Sequence, residues 1–177
     1  LFLSHNWANQ DAVATIKRQL QLLLPGVSVF LDVDDLESID ELEAYVEASQ
    51  AMLIFLGSAK YLSSPNCMRE VAAARLHDLP LVRVSDADPQ KNGTPLASLR
   101  LQSERHPSRQ HTGLLFDDGD VIPWYRVAAF QLNALAAIAE RLLLASPAFA
   151  GEAAAPLYIP GALSWSEASF AQPVALY

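Results

Sequence analysis

The sequence predicts an α/β, three-layer doubly wound fold on a parallel sheet of about five strands. Short apolar runs recur along the chain, each empties into a polar loop, and each is followed by a segment whose apolar residues return every three or four positions. Strands that are apolar throughout need cover on both faces, and β-α alternation with right-handed crossovers supplies it.

Leu1 to Ser4 is the first strand, followed by the polar group His5-Asn6-Trp7-Ala8-Asn9. From Asp11 the period lengthens. Val13, Ile16, Leu20 and Leu23 line one face of a helix, Lys17, Arg18, Gln19 and Gln21 fill the other, and Pro25-Gly26 closes it. Val27 to Leu31, β-branched and aromatic, is the second strand. Asp32 to Asp40 carries five acids in nine residues with no core face, which reads as a surface loop. Leu42, Tyr45, Val46 and Ser49 form the inner stripe of the next helix, and Ala51 to Leu56 is a third strand ending at Gly57. Ser64 caps and Pro65 opens a helix running through Glu70, Val71 and Ala74 to about His77. Leu81 to Val84 is the fourth strand. Ser85 to Gly119 is an irregular excursion in which Leu96, Leu99 and Leu101 mark one short helix, and Val121-Ile122 is a short fifth strand. Val127 to Leu144 is a helix apolar on nearly every face, which predicts deep burial. Residues 1–145 are read as the domain and 146–177 as an Ala- and Pro-rich tail, packed on it or leading elsewhere.

With 177 residues, 51% hydrophobic and 18% charged, the chain has room for one full core and not for two large domains. Twelve basic residues against twenty acidic ones leave a charge of −8, and no basic patch is evident, so nucleic acid is not an expected partner. Cys67 is the one cysteine and no His/Cys cluster has zinc spacing, so no disulfide or metal is expected, and a reducing, cytoplasmic compartment fits best. No apolar run reaches the roughly 18 residues of a membrane span, so no membrane contact is expected of this segment. The chain opens on Leu1-Phe2-Leu3 without Met, and the expectation is of a piece of a longer protein.

In open parallel sheets ligands bind beyond the carboxyl ends of the strands, which directs attention to Ser4 to Asn9, Asp32 to Asp40 and Gly57 to Asn66. Glu70 lies on the helix that the third of these loops enters. Its neighbours Asn66, Cys67, Ala73 and Ala74 are mostly small; they leave space for a ligand and equally permit tight helix-sheet packing. Cys67 reads as a small buried hydrophobe rather than a nucleophile, since no histidine is adjacent in sequence to activate it. His77, His106 and His111 have no partner spacing and read as surface residues.

Phe2-Leu3-Ser4-His5, then Val29-Phe30-Leu31-Asp32 with an acidic loop through Leu36-Glu37, then Leu53-Ile54-Phe55-Leu56-Gly57-Ser58, then Tyr61-Leu62-Ser63-Ser64-Pro65-Asn66-Cys67-Met68-Arg69-Glu70-Val71, resembles the TIR domain family in order and spacing. The resemblance covers residues 1 to 84, is most specific around Cys67 and Glu70, and implies a flavodoxin-like fold. Pro123-Trp124 looks like the family's third conserved box. TIR domains are either self-associating adaptors or enzymes that cleave NAD+ into nicotinamide and ADP-ribose or its cyclic forms, closest here to the enzymatic members. The resemblance implies that Glu70 is catalytic, that Ser4, His5, Trp7, Asp32, Glu37 and Asn66 line or gate the pocket, and that NAD+ is a substrate needing no cofactor or metal. Ser4 alternatively ends its strand, and Trp7 alternatively packs. Breaking the nicotinamide-ribose bond creates an oxocarbenium-like cation that one fixed carboxylate stabilises, and nicotinamide leaves neutral without a general acid.

Two positions differ from the family pattern. Asn66 stands where many members carry tryptophan, and the loop after strand one has no basic residue, so phosphate binding falls to backbone amides or to Arg69, with Trp7 offered for stacking. The acidic loop reads as a solvated or protein-binding surface, the one that meets a neighbouring protomer in enzymatic assemblies. Asp32, Asp34 and Asp35 lack the spacing of a receiver-type magnesium site, whose acids follow the first and third strands. A nucleoside or nucleotide transferase on a related fold, also needing one glutamate, is a third class.

Overall fold

A computed structural model of the chain describes residues 1–31, 41–86, 88–91, 93–116, 121–155 and 157. Strands β1 (Phe2–His5), β2 (Phe30–Leu31), β3 (Met52–Leu56), β4 (Leu81–Asp86) and β5 (Ile122–Trp124) form one sheet in the order β2-β1-β3-β4-β5. Every pairing is parallel. This is the flavodoxin-like doubly wound order, with its switch point between β1 and β3.

Helices α1 (Gln10–Leu23), α2 (Leu42–Glu47), α3 (Pro65–Leu76), α4 (Leu96–Glu104), α5 (Arg109–Thr112) and α6 (Ala128–Leu144) surround the sheet. Strand alternation divides the core in two. Leu3, Leu53, Phe55, Val82 and Val84 pack with Val13, Ile16 and Leu20 of α1 and Leu135 and Ile138 of α6. Phe2, Met52, Ile54 and Leu56 pack on the opposite face with Val46 of α2, Val71 and Ala74 of α3, and Leu99 of α4. Ser4 follows Phe2 by two positions, so it shares the face turned toward α3.

Three details differ from the sequence reading. β2 is two residues long rather than five, because its register pairs Phe30 with Phe2 and Leu31 with Leu3, leaving Val27 and Val29 beyond the start of β1. Those two valines still pack on the α1 face of the core. Leu101 points outward, and α4 instead buries Leu99 and Ser103, where the Ser103 carbonyl accepts from Thr112 Oγ1 at 3.1 Å. α6 is not deeply buried. It seals only Ala134, Leu135, Ile138 and Ala139, because a helix in an outer layer has one covered face, and Phe130 remains 53% exposed.

α3 stops without a glycine. Asp78 takes the left-handed conformation (φ 49°), and the Leu79 and Asp78 amides donate to the Ala74 and Arg75 carbonyls, a Schellman closure. Gly57, which ends β3, is required for a different reason: a Cβ there would lie 2.4 Å from Cγ of Asn9, a side chain only 1% exposed. The Asn9 amide is packed against the Gly57 backbone with neither Oδ1 nor Nδ2 hydrogen-bonded. Gly57→Ala is expected to lower stability by about 1–3 kcal/mol, seen as a lower urea midpoint at unchanged slope. An unmoved midpoint would mean that Asn9 swings aside without penalty.

Candidate functional site

The first layer of the site comes from α3. Ser64 caps the helix by accepting from the Cys67 amide at 3.4 Å, and Pro65 supplies its first residue. Cys67, Glu70, Val71 and Ala74 then recur at helical spacing along the buried stripe. Three of those side chains are apolar or nearly so; the fourth is a carboxylate, 2% exposed. Removing a carboxylate from water costs several kcal/mol unless polar groups meet it. Ser4 of β1 does so, its Oγ donating to Glu70 Oε2.

Tyr61, in the loop after β3, completes the cluster with its hydroxyl 2.5 Å from Ser4 Oγ. Tyr61 and Ser4 are both buried. Burial above all, then the proximity of Cys67 and Glu70, pushes the Tyr61 phenol well above its ordinary value, against the opposing pull of its hydrogen bond with Ser4. Cys67 Sγ donates to the His5 carbonyl at 3.4 Å, tying α3 to the end of β1. The carboxylate therefore sits at the carboxyl edge of the sheet beside the switch point.

The remaining predicted residues divide. His5 is buried at the end of β1. Trp7 begins a short 3-10 turn, capped by the Asn6 side chain, and is 64% exposed rather than packed. Asn66 is half-buried on the first turn of α3. Asp32 and Glu37, with the rest of the acidic loop, lie outside the described residues.

Arg69 does not stand ready for a phosphate. Its Nε and Nη2 donate to Glu43 Oε1 and Oε2, both at 2.7 Å, a two-point pair that joins α3 to α2. The hydrogen bond from Arg69 holds the Glu43 carboxyl below its ordinary value of 4.5. A carboxyl whose folded value is depressed contributes stability above its unfolded value, and that contribution is lost as pH falls through the lower, folded value. Both side chains are more than a third exposed, so the pair is worth under about 1 kcal/mol. Glu43→Gln should lower the urea midpoint slightly at pH 7, with the deficit shrinking as pH falls below 4.5 and through the lower, folded value; a deficit constant across that fall would assign the effect to packing.

Sequence reasoning missed Tyr61 as a member of the cluster and Arg126 as a clamp. A buried tyrosine needs a partner for its hydroxyl, which was the available signal for the first. Arg126, between β5 and α6, reaches Asp86 Oδ2 at 3.0 Å and Asp11 Oδ2 at 3.3 Å, pinning the end of β4 to α1. Burial pulls its guanidinium down, but Asp86 and Asp11 together outweigh this and hold it above its ordinary value.

Among the described residues, no helix is long and apolar enough to cross a membrane. No curated protein matches the chain. A family model described as TIR domain matches residues 1–115, taking in β1 to β4 together with Ser4, Tyr61 and Glu70. With well over half its length matched, the chain belongs to the TIR domain family.

Proposed function

We propose that this TIR domain is an NAD+ glycohydrolase that cleaves the nicotinamide-ribose bond, active on self-association in signalling or defence. The observation that carries this reading is Glu70: a carboxylate kept in an otherwise apolar helix stripe, hydrogen-bonded by Ser4 at the edge where doubly wound folds bind ligands. Fixed charge in a water-poor site is what stabilises a developing ribosyl cation. In the step, nicotinamide departs with the bonding electron pair and becomes neutral. Water adds to the ribose C1 and releases a proton, giving ADP-ribose; an adenine nitrogen adding instead gives a cyclic product. Ser4 and His5 line the pocket with Asn66, exposed Trp7 offers a stacking surface, and Asp32 and Glu37 gate it from the acidic loop. With Arg69 held by Glu43, the pyrophosphate falls to backbone amides. Glu70 is 2% exposed, so substrate entry requires the residues around it to move. Product analysis with NAD+ and with free nucleosides tests the substrate class: nicotinamide release from NAD+ supports the reading, and turnover of nucleosides alone contradicts it.

A second reading, a non-catalytic adaptor working through homotypic TIR contacts, is favoured by the covering of Glu70 and by the exposed Tyr125, Val127, Phe130 and Leu132 near the start of α6. It predicts assembly without turnover, disrupted by charge reversal at Asp34 and Asp35 and indifferent to Glu70→Ala.

A further inference from the structure

We infer that Tyr61, acting through the Ser4 hydroxyl, is a positioning residue for the Glu70 carboxylate. The inference rests on the proposed NAD+ cleavage and deepens it. Its basis is the count of hydrogens. A serine hydroxyl has one, and Ser4 donates it to Glu70 Oε2. The 2.5 Å contact between Ser4 and Tyr61 then runs the other way, from phenol to serine. The three groups form a one-directional chain from Tyr61 O–H to Ser4 O–H to the carboxylate, and each bond polarises the next. The phenol, pushed upward by its burial, stays protonated and so remains a donor throughout the physiological range.

The chain joins three separate pieces of the fold. Tyr61 belongs to the loop after β3, Ser4 to β1, and Glu70 to α3, so the carboxylate takes its orientation from the sheet as well as from its own helix. Titratable and charged groups come near the pair from several elements. Tyr61 faces it from the β3 loop, His5 follows Ser4 on β1, Cys67 lies one turn back on α3, and Arg69, next in the chain, is held by Glu43 of α2. Tyr61 reaches Glu70 through the hydrogen bonds from its hydroxyl to Ser4 and from Ser4 to the carboxylate.

The test is a double-substitution cycle at Ser4 and Tyr61 on the full chain, clustered on a surface and supplied with NAD+. Tyr61→Phe keeps the buried ring and removes only the donor. It is expected to lower kcat about tenfold with little change in KM, and to move the acid limb of the pH profile up by about one pH unit. Ser4→Ala should do the same or more, Ser4→Thr should restore most of the rate, and the double variant should be no worse than Ser4→Ala alone. Multiplying losses, or an unmoved acid limb, would overturn the relay. If the wild-type chain releases no nicotinamide, the functional reading fails, and 13C titration of the Glu70 carboxyl still decides the relay. A midpoint raised by Tyr61→Phe supports it, and identical midpoints in wild type and variant contradict it.

Discussion

Glu70→Gln is expected to lower kcat/KM for NAD+ by about a thousandfold while leaving the thermal midpoint unchanged or higher. The two halves of this expectation have one cause. The wild-type chain keeps a carboxylate in a helix stripe that is otherwise Cys67, Val71 and Ala74, at 2% exposure. Taking the charge away removes a desolvation penalty, and the glutamine carbonyl still accepts from Ser4, so the fold loses little or gains. On the proposed mechanism the same change removes the charge that Glu70 holds against the ribosyl cation, and losses of about 10² to 10³ follow from removing a single preorganised stabilising group. Glu70→Ala separates the effects further, since it opens a small cavity and is expected to lower stability. A Glu70→Gln variant that melts several degrees lower would show that the ionised carboxylate is part of the fold's support rather than a functional burden on it.

Arg126→Met is expected to produce the largest stability loss at a charged position, about 2–4 kcal/mol, or roughly 5–10 °C in melting temperature. The Asp86 side chain is fully buried at the end of β4, and Arg126 is the cation that meets it at 3.0 Å. Removing the guanidinium leaves Asp86 Oδ2 facing an apolar side chain, while Oδ1 keeps the Asp88 amide. The figure sits below the full penalty for a broken buried pair because Arg126 is itself 26% exposed. Asp11 shares the guanidinium but is 73% exposed, so Asp11→Asn should change stability by less than about 1 kcal/mol. Equal losses for Arg126→Met and Asp11→Asn would locate the effect at the surface. NAD+ turnover below the melting range is expected to survive both, because this clamp joins β4 and α1 and takes no part in the hydrogen bonds from Tyr61 to Ser4 and from Ser4 to Glu70.

How much of this was legible in the sequence depends on how local the determinant is. β1, β3 and β4 announce themselves as short apolar runs because parallel strands covered on both faces contain little else. The start of α3 is equally plain, since Ser64 and Pro65 act within one turn of it. Its end is less so: Asp78 occupies a left-handed position where glycine would have been the signal. The length of β2 depends on register against β1, which no window of 11 to 18 residues contains. Hydropathy predicts deep burial for α6 because it counts apolar residues without knowing how many layers will cover them.

The site follows the same division. Glu70 was visible through its setting in the stretch from Tyr61 to Val71, and Ser4 through its place at the end of the first strand. Their contact, 66 positions apart in the chain, was not visible, nor was the arrest of Arg69 by Glu43 of α2. Tyr61 opens the same stretch with no role of its own in the sequence, because a tyrosine acquires one only when its hydroxyl meets a partner from another element. Arg126 lacked even that cue, since its partners Asp11 and Asp86 come from α1 and the end of β4.

The most direct measurement is release of nicotinamide from NAD+ by the wild-type chain, compared between dilute solution and a clustered state and followed by chromatography of both products. Little release is expected in dilute solution, with a marked increase on clustering, equal amounts of nicotinamide and ADP-ribose in linear or cyclic form, and silence from Glu70→Gln under both conditions. No nicotinamide from the clustered wild type, or equal release from Glu70→Gln, would contradict it.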